Sequence, residues 1–316
     1  MIIMIVISTL LAVLLAGGYW GFQFACARQP EPDWESQESL AKSMWRNHPI
    51  SIPEAARWVR ENGAVDVSIE SHDGLKLVGQ WLPAEKPIAT IILFHGYHSH
   101  YLADFGGILP LYHQLGLNLL LVRQRAHGAS EGKYITFGVK ERLDALSWID
   151  FHNRTFGTGD VYLGGLSMGC STVLYTAGEH LPENVRGITA DCGFTTPAEI
   201  LALQATAMFH FPGQLLLPFV QIFAKTLAGF GLWECDSRKT AARAKVPILF
   251  IHGKADDFVP CWMTEEAYAR CASEKQVFLV EGAGHGMGYL VGKEQVKPAL
   301  LGFFTGHLSQ VPEGRP

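Results

Sequence analysis

Ser167 stands inside Gly165-Leu166-Ser167-Met168-Gly169, between an apolar run (residues 161–166) and a segment of helical pattern. A strand that turns at once into a helix strains its junction residue, and side chains two positions to either side would collide there. The strain lifts the hydroxyl clear of the sheet. It also leaves the Met168 N–H at a helix N-terminus, where it can hold an oxyanion. Ser167 is therefore a candidate nucleophile; the alternative is a glycine-rich turn whose serine caps a helix. A nucleophilic serine needs a base. Among thirteen histidines, His285 in Ala283-Gly284-His285-Gly286 is selected by its place on a short loop after the last strand-like run.

The base in turn needs an acid to fix its tautomer and to stabilise the imidazolium as it forms. Residues 251–260 (IHGKADDFVP) follow the preceding strand-like run and offer Asp256 and Asp257. Serine, acid and base then fall in that order along the chain, at three successive strand ends, unlike the orders of chymotrypsin and subtilisin. A second oxyanion donor is expected after the run 88–94. There Gly96 of His95-Gly96-Tyr97 lets the backbone turn back, and the Tyr97 N–H is the candidate. His98 and His100 crowd the same loop, but with no evident third ligand they read as a polar rim rather than a metal site. No metal or organic cofactor is expected.

Positioning these groups requires a sheet. Residues 65–71 and 75–82 flank Asp73-Gly74, a hairpin signal. Short apolar runs follow at 88–94, 117–122, 161–166, 185–190, 246–251 and 277–280, mostly separated by stretches long enough for a helix. Such runs imply an α/β fold with a mostly parallel sheet, helices on both faces and an antiparallel edge. About fifty residues separate Cys192 from Lys245, rich in Leu, Phe and Ala and broken at Pro212 and Pro218. That is too long for a simple connection, so a helical cap over residues 197–231 is expected above the sheet's C-terminal edge.

With these motifs in view, residues 65–308 resemble the α/β-hydrolase superfamily, and within it a membrane-anchored bacterial branch with serine aminopeptidase-like (S33-type) domains. The resemblance rests on His95-Gly96, on Arg125-Ala126-His127-Gly128-Ala129-Ser130, on residues 165–169, on residues 252–260 and on Gly284-His285. It implies that the acid is Asp256, three residues after the glycine of H-G-x-x-D. It also implies that His127 shapes the site without taking part in chemistry. The chain departs from the family's R-G-H-G-x-S pattern in having Ala126 at the second position.

Composition bounds the rest. The chain has 316 residues, with 48% hydrophobic and 17% charged, which excludes a disordered or coiled-coil class. Net charge is −5 with no basic cluster, which argues against nucleic acid as a partner. The six cysteines lack CxxC spacing and read as buried or inert thiols, with a Cys261–Cys271 pair left open.

Residues 1–24 are nearly all apolar, long enough to cross a bilayer. They read as an uncleaved anchor, because no Lys or Arg precedes Arg28; a signal segment cleaved at Ala25-Cys26-Ala27, with secretion, is the alternative. Arg28, Lys42 and Arg46 follow the segment and favour a cytoplasmic domain, the signal-like character the opposite side. Residues 25–62 read as a linker with leading helical turns, and residues 63–310 as the catalytic domain. Because the chemistry-bearing motifs lie beyond residue 94, a chain starting near Gln29 is expected to be soluble and active.

The assembled groups would perform acyl transfer through a covalent acyl-enzyme. A small-molecule ester, apolar or of medium chain length, is the expected substrate, given the greasy cap (Phe209, Phe211, Leu215, Leu216, Leu217, Phe219, Phe223) beside an anchor. A thioesterase or an aminopeptidase-like enzyme is the alternative, the latter disfavoured by a cap offering only Glu199 and Glu234 as amine ligands. A catalytically silent, membrane-tethered binding protein is the alternative of another class.

Overall fold

The computed structural model describes residues 1–42 and 49–307, so Arg46 and residues 308–310 of the expected domain lie outside the described residues. Eight strands form one sheet: β1 (Val65–Glu70), β2 (Lys76–Leu82), β3 (Ala89–Phe94), β4 (Leu117–Val122), β5 (Val161–Leu166), β6 (Val185–Asp191), β7 (Ile248–Gly253) and β8 (Lys275–Val280). Their spatial order is β1-β2-β4-β3-β5-β6-β7-β8. The hairpin β1–β2 is antiparallel and joins β4 antiparallel, while all pairs from β4 to β8 are parallel. Strands β3, β5 and β7 are buried at every residue, as a sheet covered on both faces demands.

The helices are α1 (Ile2–Cys26), α2 (Gln37–Ala41), α3 (Ile52–Glu61), α4 (Tyr101–Phe105), α5 (Leu109–Gln114), α6 (Glu141–Phe156), α7 (Met168–Thr176), α8 (Pro197–Phe209), α9 (Leu217–Phe223), α10 (Ser237–Ala241), α11 (Trp262–Arg270), α12 (Gly288–Val291) and α13 (Lys293–Gly306). One core lies between the sheet and the side of α3, α4, α5 and α13, with Leu93, Tyr162, Leu249 and Phe304 at its centre. A second lies on the side of α6, α7 and α11, around Ile92, Trp148, Leu163 and Phe250.

The long interval between β6 and β7 is a cap of α8, a single 3₁₀ turn (Gly213–Leu215), α9 and a π-helical turn (Ala224–Ala228). Thr196 opens α8 by accepting from the Glu199 N–H. Cap residues Ala198, Leu217, Val220 and Phe230 share a third core with Met168 at the start of α7 and with Ile135, Phe137, Phe194 and Val259.

The stretch expected as a linker is built into the body. Trp34 and Leu40, then Ile52, Ala55, Ala56 and Val59 of α3, are buried in the first core. Helix α1 is likewise no free tether. Phe22 and Cys26 are fully buried in the cap core, the Ile135 N–H donates to the Cys26 carbonyl at 2.7 Å, and Ala27 pairs with Tyr134. Glycines allow this contact: a Cβ on Gly18 would lie 2.7 Å from the Phe219 backbone carbon, and one on Gly21 3.3 Å from Val220.

Candidate active site

Strand β5 runs straight into α7 at Ser167, whose backbone sits at φ 56°, ψ −117°, a strained conformation for a residue with a Cβ. A Cβ at Gly165 would strike the Gly169 backbone, and one at Gly169 would strike the Phe94 carbonyl. Glycine is thus required at both positions for the strand to meet the helix this closely. The Ser167 N–H is tied to the Asp191 carbonyl at 2.9 Å, which fixes the turn from the neighbouring β6.

The hydroxyl is not alone. His285 Nε2 lies 2.9 Å from Ser167 Oγ, and His285 Nδ1 lies 2.7 Å from Asp256 Oδ2. Strand β7 ends at Gly253, where a Cβ would collide with the loop carrying His285, so Asp256 and His285 approach closely. Asp256 Oδ1 accepts from the backbone N–H groups of Phe258 (3.0 Å) and Val259 (2.8 Å), and His252 Nε2 lies 3.1 Å from Oδ2. Burial works against charge on this carboxyl. The hydrogen bonds from His252 and His285 outweigh it and hold the carboxyl well below the usual carboxylate range. Asp257, the other candidate acid, points to solvent.

On the opposite side of Ser167, Gly96 approaches so closely that a Cβ there would lie 3.3 Å from Ser167 Cβ. The amides of Tyr97 and Met168 meet no acceptor among the described residues, Met168 following Ser167 at the start of α7 and Tyr97 following Gly96. The loop is held by a residue the sequence did not single out. Asp104 of α4 accepts from the Gly96 N–H at 2.6 Å and from Ser99 Oγ at 2.5 Å. Burial raises its carboxyl to about 6 against those hydrogen bonds.

Three other histidines of this region have a ring nitrogen engaged by a backbone amide. His95 is buried, its Nε2 accepting from the Gln124 N–H. His127 Nε2 accepts from the His98 N–H at 3.2 Å, and burial lowers His127 to about 4. His100 Nδ1 accepts from the Leu102 N–H at 3.0 Å. The two side-chain groups with metal-ligand proximity among the described residues are Cys192/Asp256/His285 and His72/Asp73/Asp144, and neither involves His98 or His100. Arg125 bridges Asp144 and Asp73 and so fastens the 125–130 loop to α6 and the β1–β2 turn. All six cysteines are free.

A cavity of about 360 Å³ opens beside His285, within the usual range for small-ligand pockets. Its walls are largely apolar (Ile50, Phe105, Ile108, Ile251, Met287 and Leu290), with Asp104 and Asp191 as its acids. Burial raises Asp191 to about 6 as well, and its Oδ1 has no hydrogen-bond partner. Glu199 and Glu234, the expected cap acids, are engaged elsewhere, with Arg238 and with Arg142 and Lys225 respectively. A hydroxyl, an imidazole and a carboxylate linked in this order can carry a proton off the hydroxyl.

Fold and comparison agree on the class: the chain belongs to the α/β-hydrolase family. A family profile described as the alpha/beta hydrolase fold matches residues 89–230. The uncharacterized protein YqkD of Bacillus subtilis is 30% identical over 236 residues, covering 74% of this chain and 77% of that protein. A yeast protein described as uncharacterized membrane protein YNL320W is 26% identical over 172 residues, covering 53% of this chain and 54% of its own length. Among solved structures, the esterase Pf2001 of Pyrococcus furiosus superposes with a TM-score of 0.64 at 25% identity, covering 79% of this chain and 94% of that one.

Proposed function

We propose that the protein is a serine carboxylesterase acting on apolar or medium-chain esters. The observation that carries this is the unbroken Ser167–His285–Asp256 hydrogen-bond chain at the C-terminal edge of the sheet. In this reading Ser167 attacks the ester carbonyl while His285 Nε2 takes its proton, and Asp256 holds Nδ1 and stabilises the imidazolium. The N–H groups of Met168 and Tyr97 receive the developing oxyanion. His285 then protonates the leaving alkoxide, and water releases the acyl group by the same steps reversed. The apolar cavity beside His285 supports an acyl chain as the bound portion, and the resemblance to a solved esterase supports ester over other acyl bonds.

A fluorophosphonate probe should label the protein, and a panel of p-nitrophenyl esters should show a preference for chains longer than acetate. Absence of labelling would favour the catalytically silent binding protein. Asp191, with one oxygen free at the cavity, keeps a second reading in view, an aminopeptidase-like enzyme with an ammonium-bearing substrate. Turnover of aminoacyl-nitroanilides in preference to esters would select it, and turnover of acyl thioesters would select a thioesterase.

We also propose that residues 1–24 are an uncleaved membrane anchor, residues 25–62 a lead-in, and residues 63–310 the catalytic domain with its cap at 197–231. Cleavage after Ala27 would strip Phe22 and Cys26 from the cap core, which supports retention. Sedimentation with membranes through a high-salt wash, with an intact N-terminus by sequencing, tests the anchor, since salt leaves apolar burial untouched. Recovery of a chain starting at Arg28 in the soluble or secreted fraction would overturn it.

A further inference from the structure

Helix α1 is 25 residues long, but its two halves have different surroundings. Residues 2–13 are exposed, Leu14 and Leu15 are half-buried, and from Gly17 onward the helix lies against the cap through Leu216, Phe219 and Val220. Twelve free residues at 1.5 Å each reach about 18 Å. A bilayer's hydrocarbon core is about 30 Å thick. The missing 12 Å or so must come from the turns that are already packed on the cap.

The cap has the surface for such a position. From residue 200 to residue 224 there is no Asp, Glu, Lys or Arg, and His210 is the single titratable side chain. Met208, Phe209, Phe211, Leu215, Ile222 and Leu227 are all exposed. This face is continuous with the helix: Trp20 stacks on Phe24, and Phe209 packs edge-on against both. Tyr19 meets Phe223 in the same way. Aromatic side chains of this kind favour the boundary between lipid tails and headgroups, and here they mark its level on the cap itself.

Resting on the anchor reading of α1, we propose that the cap is embedded in the membrane, its exposed α8–α9 face immersed in the lipid boundary beside α1. The depth, some 5–10 Å, is that of an interfacial amphipathic helix. The occupant of this apolar face is the lipid of the bilayer that α1 crosses. Gln204 of α8 donates to the Phe258 carbonyl, and the Phe258 ring packs on His285 at 5.0 Å. The docked face is therefore linked to His285 through Gln204 and Phe258.

The test uses the full chain in phosphatidylcholine vesicles, with Cys261→Ser to remove the one cysteine that is not buried. Single spin labels are carried by Leu215→Cys, Ile222→Cys, Ile5→Cys on the free half of α1, and Val65→Cys on the far edge of the sheet. Collision with oxygen, which concentrates in lipid, is compared with collision with a water-soluble nickel chelate. Positions 5, 215 and 222 are expected to favour oxygen and position 65 the chelate. A lipid signature at position 5 with an aqueous one at 215 and 222 would overturn the embedded cap while sparing the anchor. Shielding of 215 and 222 from both reagents would overturn it in favour of a second copy of the chain covering the face. An aqueous signature at position 5 would overturn the anchor and the embedded cap together.

Discussion

At the residue scale, the grouping of Ser167, His285 and Asp256 within hydrogen-bond reach was legible, because each occupies a position that few sequences satisfy by accident. Glycines at 165 and 169 are dictated by backbone collisions, and the histidine and acid follow the last two strands. Ser167→Ala should abolish fluorophosphonate labelling and lower ester turnover by at least about 10³-fold, with the circular dichroism spectrum unchanged. Residual labelling would place the nucleophile elsewhere. Asp256→Asn should lower kcat by about 10⁴-fold, because an amide holds the wrong His285 tautomer. Asp257→Asn, at an exposed carboxylate, should leave kcat within about twofold of wild type by the same reasoning. A larger loss at 257 than at 256 would reverse the assignment. Sequence alone could not separate the two acids by chemistry. What separates them is that the Phe258 and Val259 amides point at one and solvent surrounds the other.

At the element scale, the strands were readable as apolar runs, and the cap as an interval too long to be a loop. The support of the oxyanion loop was not. Asp104 lies on a helix of five residues and has no spacing relation to Gly96, so only the folded chain reveals that it ties residues 96 and 99. Its burial has a measurable signature. The Asp104 carboxyl stands at about 6 in the folded chain, against about 3.9 for a free side chain. Between those values the folded state keeps a proton that the unfolded state has released. Its stabilising contribution is therefore full at low pH and is lost as pH rises from about 4 through 6. Asp104→Asn retains an acceptor for the Gly96 N–H but cannot titrate. Its Tm should vary less steeply with pH over that window, part of the slope remaining with Asp191. A slope equal to wild type's would show that Asp104 does not carry the effect.

At the scale of the whole molecule, the N-terminal segment was read correctly for its length and apolar character but not for its contacts. Hydropathy registers that residues 1–24 avoid water; it does not register which of them meet protein. Phe22 and Cys26 are fully buried, so a chain starting near Gln29, which the sequence alone would pass as soluble and active, should instead leave the α9 groove uncovered. Losing two buried side chains at roughly 1.5–3 kcal/mol each would lower Tm by about 10 °C. Thermal melts of the shortened and full chains in the same detergent check this, and equal midpoints would show that α1 adds nothing to the fold.

The small residues along one side of α1 carry a further consequence. Gly17, Gly18 and Gly21 make the helix narrow where the cap crosses it, so its sequence encodes a fit as well as an apolar surface. Apolar helices of equal hydropathy are then not interchangeable parts. A leucine-rich helix grafted onto residue 25 would enter the bilayer as readily, yet its broad side chains would hold α9 off and leave the cap without its partner. Gly18→Leu poses that question with a single side chain: the protein should remain in the membrane fraction while its cap opens to protease within the 209–216 segment.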